Sequence, residues 1–358
     1  MKKHPVRTAL LRGLLVLGTV IGCLLITVFS AGLLVSHGPS RSLRDMLVIS
    51  AKQASATKWV PRLFLSAETV DSIVAASKQI DTDTVNAADY IQTGGEVTDE
   101  WANYPDGLRL DFVQKSKFKA YMLLVRDPKR VQVGVSSADF ATATAGARIF
   151  DLVEKYHATA AINGGEFADP NGMGTGATPM GLTFSAGRMV WNDGASRTFI
   201  GFDSNDRLLC RNSMTAAEAQ ALGIRDAVCF QQGNALIQHE GEKIRLNYGD
   251  RNTGTAQRTA IGQRADGTVL FLVTDGRSAE SIGATRNDVI ALMAEYGAVE
   301  AGMLDGGSSA MLYYRDFFDK CGLDKSTLDT YQQKGLVNRY KAFVPPRDIP
   351  TYFIVTEG

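Results

Sequence analysis

Carboxylates beside paired glycines are the residues of this chain best suited to chemistry. Asp305 ends an apolar run and precedes Gly306 and Gly307, and a second apolar run begins at Ala310. Because glycine has no Cβ, the backbone there can take positive φ and a ligand can approach closely. The same residues also suit a tight hairpin whose turn Asp305 caps. This segment alone therefore does not decide between a turn and an active site.

A second segment of the same kind lies upstream, where Asn163, Gly164 and Gly165 precede Glu166. Apolar residues at helical spacing come before each segment and end at Tyr156 and Tyr296. The repeated pattern favours two equivalent units, each with a helix, a short strand and a glycine pair.

The second unit has clear helix boundaries. Thr285 is the expected N-cap, with Asp288 at the third helical position of a capping box, and Gly297 is placed to end the helix. Short apolar strands are expected at 157–162 and 298–304. We therefore predict that the polar ends of both units converge on one cleft.

Further charged residues follow strand-like runs elsewhere. The apolar run 270–274 leads to Asp275 and Arg277, and Arg258 begins another strand. Two carboxylates can act on an oxocarbenium-like sugar centre, one as nucleophile or stabiliser and one as acid or base. Arginine binds phosphate oxygens in a bidentate manner. The combination suits a substrate with both sugar and phosphate, whereas turn caps and surface ion pairs are the alternative roles.

Other mechanisms fit the residues less well. Ser308 and Ser309 are not in a Gly-x-Ser-x-Gly elbow, and only His157 and His239 occur beyond the flanks of the apolar N-terminal segment. No His/Cys cluster suits zinc. We predict no cofactor and no metal, although calcium held by Asp and Asn oxygens stays an open alternative in the absence of an EF-hand loop.

The composition limits the class of protein and its location. The chain has 358 residues, a formal net charge of zero and 45% hydrophobic residues, which predicts a globular protein with no nucleic-acid footprint. Residues 13–36 are uncharged and follow a basic tail, and about 20 helical residues cross a bilayer core. We predict a cytoplasmic tail at 1–12, a single transmembrane anchor at 13–36, a helical stalk at 37–95 and an extracellular domain at 96–358. A cleaved signal peptide and a lipoprotein signal at Cys23 are the alternatives.

The sequence beyond residue 95 has a pattern that predicts short strands joined by turns. Turn signals at 127–129, 185–187 and 266–267 separate strand-like runs, and residues 171–179 form a glycine-rich loop that suits a cover over a site. We predict an α+β fold with largely antiparallel mixed sheets and packed helices. Whether Cys210 and Cys229 form a disulfide is left open.

The ordered motifs together identify a family. The segments 163–167, 181–187, 258–262, 275–277 and 304–309 resemble the phosphodiester glycosidase family, and the resemblance extends over about residues 100–358. It implies hydrolysis of a sugar-1-phosphodiester bond. Bacterial members carry a similar N-terminal anchor and are labelled as exopolysaccharide-related. The resemblance also implies site positions, which are Asn163, Glu166, Arg258, Asp275 and Asp305.

The resulting hypothesis is a membrane-anchored extracellular hydrolase that acts on a phosphate-containing glycan of the cell envelope or an exopolysaccharide. Asp305 is expected nearest the anomeric carbon, and Glu166 is expected to be the acid or base. Arg258 and Arg277 are expected to hold phosphate, with Asn163 and Asp275 orienting sugar hydroxyls or catalytic groups. The glycines 164, 165, 306 and 307 allow close approach. A non-catalytic glycan-binding or envelope-assembly protein and a transferase are the alternatives.

Overall fold

The computed structural model describes residues 5–39, 44–45, 47–48, 51, 59–77, 84–86, 100–170, 174–241, 243–249, 254–276, 281–340 and 345–357. The chain divides into two compact units, residues 1–77 and 78–358.

The first unit is helical where it is described. Helix α1 spans Pro5–His37, and helix α2 spans Ala67–Ser77. Residues 12–37 form a helical segment of 26 residues that contains an 18-residue stretch with a mean hydropathy of 2.5 and none of its residues buried. It is long and apolar enough to cross a membrane, and a signal sequence would have the same properties. Most of residues 40–58, which belong to the stalk expected at 37–95, lie outside the described residues.

The second unit contains the helices α3 (Ile149–Lys155), α4 (Ala216–Ala221), α5 (Arg286–Glu295) and α6 (Phe317–Lys320). Its strands are β1 (Thr84–Asn86), β2 (Leu108–Gln114), β3 (Lys119–Val125), β4 (Val131–Val135), β5 (Ala160–Asn163), β6 (Thr183–Ser185), β7 (Arg188–Trp191), β8 (Thr198–Phe202), β9 (Leu208–Arg211), β10 (Asp226–Phe230), β11 (Ala235–Glu240), β12 (Lys243–Leu246), β13 (Thr259–Arg264), β14 (Val269–Thr274), β15 (Ala298–Leu304), β16 (Leu312–Tyr314) and β17 (Thr351–Val355).

These strands form three sheets. The largest has eight strands in the order β1-β12-β11-β15-β13-β14-β3-β2, the second has the order β7-β6-β10-β8-β9, and the third has the order β16-β5-β17-β4. Every pairing among the described strands is antiparallel. The predicted α+β fold with antiparallel sheets is confirmed. Strand β1 lies in the region expected to be stalk, so the second unit begins before the boundary expected near residue 95.

Both predicted helix–strand units are present. Thr285 caps α5, its hydroxyl accepts from the Asp288 amide at 3.1 Å, and the Asp288 carboxylate accepts from the Thr285 amide at 2.8 Å. Gly297 follows at φ +80° and leads into β15. The upstream helix–strand pair consists of α3 and β5. Its strand, predicted at 157–162, begins only at Ala160, because the chain first turns through His157 at φ +49°.

Two of the three predicted hairpins are confirmed. Strand β6 pairs with β7, and β13 pairs with β14 across the turn at Gly267. The third is wrong, because β3 and β4 flank the expected turn but enter different sheets. Strand β4 pairs with β17, which keeps the chain's C-terminal strand beside β5.

The strand register places several polar residues at one edge of the large sheet. Thr259 pairs with Leu304 on one side and with Val273 on the other. The residues just beyond these positions therefore come to the same edge, with Arg258 next to the ends of two strands that carry carboxylates. The carboxylates are Asp305 and Asp275.

Candidate active site

The two glycine-pair segments meet, as the sequence predicts. The buried Asn163 amide nitrogen donates to the main-chain carbonyl of Asp305 at 2.6 Å. Its oxygen accepts from the Met311 amide at 3.0 Å, and the Asp305 amide donates to the Gly164 carbonyl at 3.1 Å. Asn163 therefore fixes the backbone on both sides of the Asp305 turn.

The glycines allow the close backbone contacts at this junction. A side chain at Gly165 would overlap the Cys229 carbonyl, which accepts from the neighbouring Glu166 amide at 2.8 Å. Gly307 has φ +61°, in the left-handed region that favours glycine, and a Cβ there would meet no atom within 4 Å. Gly165 is thus required by space and Gly307 by backbone conformation.

Asp305 is a carboxyl group in a desolvated position. One of its oxygens accepts from the Gly306 amide at 3.0 Å, and the Ser309 hydroxyl also donates to it. The pKa of Asp305 is raised to about 6. Burial raises it most and the negative charge of Glu166 also raises it, while the hydrogen bonds from Ser309 and Gly306 and the charge of Arg347 lower it. Asp305 is therefore a group that can carry a proton near mildly acidic pH.

Glu166 lies close enough to Asp305 for the two charges to interact, but its surroundings differ. Its carboxylate forms an ion pair with Arg197 at 2.5 Å, and Gln231 donates a second hydrogen bond. Burial raises the pKa of Glu166, and the charge of Asp193 adds to this increase, while Arg197 opposes it. A carboxyl paired with an adjacent guanidinium retains its negative charge more readily than one without such a partner.

Arg347 lies near Asp305. Its guanidinium makes two bonds to Asp169, at 2.7 and 2.8 Å, and lies 5.0 Å from the centre of the Phe167 ring. It also donates to the Ser308 hydroxyl at 3.4 Å, beside the Asp305 turn. This fork is therefore in the geometry that binds a carboxylate, which is also the geometry that binds phosphate.

The other sequence-predicted residues are placed differently from the carboxylate pair. The Arg258 guanidinium donates to the main-chain carbonyls of Ala284, at 3.1 Å, and Gly254, at 2.6 Å. The Asp275 carboxylate accepts from the Tyr121 hydroxyl at 3.0 Å and from the Arg339 amide at 3.2 Å. Both side chains thus form hydrogen bonds to other parts of this chain. Arg277 lies outside the described residues.

Three side chains at the site were not assigned from sequence, namely Arg197, Asp169 and Arg347. Arg197 immediately precedes the buried strand β8, which is the same strand-end placement that identified the carboxylates. Arg347 stands shortly before β17, but nothing in the local sequence indicates that it pairs with Asp169, 178 residues away. That contact depends on the tertiary fold.

The site's chemistry lies in carboxylates and arginines. Among the described residues, no group of three or more His, Cys, Asp or Glu side chains could hold a metal ion. Cys210 and Cys229 are both buried free thiols, which answers the open question of their pairing in this structure.

The sequence model of the phosphodiester glycosidase family matches residues 156–356. This match covers more than half of the chain and includes both glycine-pair segments, so the chain belongs to the phosphodiester glycosidase family.

The fold resembles that of a solved catalytic domain. The catalytic domain of zebrafish N-acetylglucosamine-1-phosphodiester alpha-N-acetylglucosaminidase is 17% identical, with a TM-score of 0.53, over 79% of this chain and 91% of that one. A hypothetical protein from Synechocystis is 15% identical, with a TM-score of 0.42, over 69% of this chain and 62% of that one. The uncharacterized SPbeta prophage-derived protein YomE of Bacillus subtilis is 38% identical over 78 residues, which is 20% of this chain and 12% of YomE.

Proposed function

We propose that this protein is a membrane-anchored extracellular hydrolase that cleaves the bond between a sugar's anomeric carbon and a phosphodiester oxygen. The observation that carries the proposal is a pair of carboxyl groups, Asp305 and Glu166, that lie near each other, with Arg197 bonded to Glu166 and Arg347 near Asp305. Two carboxyl groups are the usual apparatus of glycoside hydrolysis, and the arginines suit a substrate with phosphate beside the sugar. The family description supports this chemistry.

The positions of the two arginines suggest how the substrate is oriented in the site. The Arg347 fork lies near Asp305, whereas Arg197 is bonded to Glu166 beside the polar side chains of Asp193 and Gln231. We place the substrate phosphate at Arg347 and the sugar hydroxyls on the Glu166 side, where amide and carboxylate groups can bind them. The guanidinium of Arg258, which was also expected to hold phosphate, donates to the main-chain carbonyls of Ala284 and Gly254.

This orientation reverses the roles expected from sequence for the two carboxyl groups. Asp305, with a pKa of about 6 and the phosphate side next to it, supplies the proton to the leaving phosphate oxygen. Glu166, whose negative charge is favoured by the ion pair with Arg197, acts as the carboxylate that attacks the anomeric carbon or activates water. The separate environments favour a different protonation state for each group.

A phosphate monoester is already a good leaving group. Binding of this phosphate by Arg347 therefore contributes to catalysis in addition to proton transfer from Asp305. The guanidinium can neutralise the charge that develops on the departing phosphate monoester. Asn163 and Asp275 act on the protein itself: Asn163 holds the Asp305 turn, and Asp275 holds the chain at Arg339. Their role is therefore to position the catalytic groups.

The location follows from the N-terminal helix. Residues 12–37 can cross a bilayer, and the basic residues before them favour a cytoplasmic N-terminus. We accordingly place the second unit outside the cell, where phosphate-containing envelope glycans or exopolysaccharides are the substrates within reach.

A substrate panel tests the proposal. The purified full chain is incubated with an α-linked sugar-1-phosphodiester, the corresponding alkyl glycoside without phosphate, and a dialkyl phosphodiester without sugar. We expect free sugar only from the first compound, with Asp305→Asn and Glu166→Gln each lowering kcat by about 10²-fold or more. The control is Asp348→Asn, because this carboxylate pairs with Arg148 at 3.5 Å and is not part of the carboxyl pair. Tight binding of the two sugar-containing compounds without release of free sugar would favour a glycan-binding protein.

A further inference from the structure

A second cavity lies beside the edge strand β2, and it shares no residue with the carboxylate pair. Its volume is about 430 Å³, which is within the range of small-molecule sites. The lining residues are Phe112, Val113, Gln114, Lys119, Ala120, Tyr121, Phe317, Leu323, Thr327, Leu328, Gln332 and Arg339.

One wall of this cavity is an aromatic side chain left half exposed on a face that is otherwise core. Along β2, Leu108 and Leu110 are 1% and 8% exposed, but Phe112, on the same face two residues further, is 50% exposed. The Phe112 ring packs edge-on against Tyr121 at 5.7 Å. Leu323, 37% exposed, also lines the cavity. Apolar surface is thus available to a ligand here.

The charge of the lining is entirely positive. Lys119 and Arg339 line the cavity, and no carboxylate does. Two other cavities differ, since one contains an ion pair between Asp106 and Lys320 at 3.0 Å. The other is lined by both acidic and basic side chains.

The two cations are gathered near one buried group. Both Lys119 and Arg339 lower the pKa of Asp275, although burial raises that pKa overall. Asp275 lies behind Tyr121, whose hydroxyl donates to it at 3.0 Å. Lys119 and Arg339 therefore lie near the buried Asp275 carboxylate, while Phe112 is open to solvent.

We propose that this cavity binds an anionic amphiphile, specifically a phosphate monoester attached to an alkyl chain. The phosphate would lie at Arg339 and Lys119, where a guanidinium can bind it in a bidentate manner. The alkyl chain would cover Phe112 and Leu323, which removes exposed apolar surface from water.

This inference goes beyond the proposed hydrolysis, because it assigns a second ligand site. The site is connected to the catalytic turn through the chain. Arg339 is followed by Tyr340, whose hydroxyl donates to the Ser308 carbonyl beside Asp305. A ligand on Arg339 is therefore linked, through Tyr340 and its hydrogen bond to Ser308, to the turn that holds Asp305.

Binding of hexyl phosphate to the full chain, measured by calorimetry in a non-ionic detergent, tests the proposal. We expect Arg339→Gln to weaken binding at least fivefold, and Phe112→Ala to weaken it at least threefold. The matched controls are Arg188→Gln, another exposed arginine, and Leu222→Ala, which like Phe112 is 50% exposed. Both controls should retain the wild-type affinity. Inorganic phosphate and hexyl glucoside, which each lack one half of the ligand, should bind at least tenfold more weakly.

Three results would overturn the proposal. The first is no binding of hexyl phosphate to the wild-type chain, and the second is unchanged affinity in Arg339→Gln. The third is loss of binding in Arg347→Gln but not in Arg339→Gln, because the ligand would then occupy the catalytic cleft. None of these measurements depends on turnover, so they stand or fall separately from the hydrolase activity.

Discussion

The side-chain amide of Asn163 donates to the main-chain carbonyl of Asp305 at 2.6 Å, across 142 residues of sequence. This bond joins the ends of β5 and β15, which belong to different sheets. Together with the bond from the Asp305 amide to the Gly164 carbonyl, it brings the two glycine-pair turns together. The position of Asp305 therefore depends on a buried amide that itself does no chemistry.

Replacement of Asn163 by alanine is predicted to destabilise the second unit. Asn163→Ala leaves the Met311 amide and the Asp305 carbonyl without their partners, which costs about 2–4 kcal/mol for two buried groups. Urea unfolding of the full chain measures this loss. Asn192→Ala is the control, because Asn192 is exposed and accepts only a local bond from Gly194. Equal stability of the two variants would contradict the role assigned to Asn163.

The pH dependence of activity should report the proton on Asp305. Its pKa is raised to about 6, so kcat/KM is expected to fall as pH rises through about 6 and the acid is lost. Because Arg347 lowers the pKa of Asp305, Arg347→Gln should move this decline to higher pH as well as reduce the rate. Arg188→Gln should leave the decline where it is. An unchanged profile in Arg347→Gln would show that the titrating group is not Asp305.

Stability should also depend on this carboxyl group, with a defined sign. The pKa of Asp305 is raised from 3.8 to about 6, so the folded protein binds the proton more tightly than the unfolded chain. Its contribution is fully present below pH 3.8 and is lost as pH rises through about 6. Asp305→Asn is therefore predicted to be more stable than wild type at pH 7, by about 1–3 kcal/mol. At pH 4 this advantage of the variant over wild type should be smaller. A stability difference that does not vary between pH 4 and 7 in urea unfolding would refute this.

Asp169 is predicted to compete with the substrate for Arg347. The two side chains form a bidentate ion pair, and a phosphate placed at Arg347 would have to displace or share it. Asp169→Asn should lower KM about two- to fivefold, the range expected for a partly exposed ion pair, with little change in kcat. Asp348→Asn provides the control. If KM instead rises, Asp169 assists phosphate binding and the competition is excluded.

The local patterns in the sequence were sufficient for much of the fold. The capping box at Thr285 and Asp288 depends on neighbours three residues apart, so the helix start could be predicted and is confirmed. The β13–β14 hairpin likewise follows from the turn at Gly267. The strands β3 and β4 show the limit, since a turn between two strands does not determine whether they pair.

The site could be predicted in part for the same reason. Asp305 and Glu166 lie next to glycine pairs, which are a local signal in the sequence, and the structure brings the two segments together. The arginines could not be assigned, because which guanidinium reaches the carboxyl groups depends on contacts such as that between Arg347 and Asp169, 178 residues apart. Arg258 is adjacent to a strand end as well, yet the fold directs it to main-chain carbonyls.

The central claim is that Asp305 and Glu166 break the bond at the anomeric carbon of a sugar-1-phosphodiester. The most direct measurement is hydrolysis in ¹⁸O-labelled water, followed by mass spectrometry of both products. Attack at the sugar places the label on the anomeric hydroxyl of the released sugar, and this is the predicted result, lost in Asp305→Asn and Glu166→Gln. Label in the released phosphate would instead show that the phosphorus–oxygen bond breaks and would contradict the account.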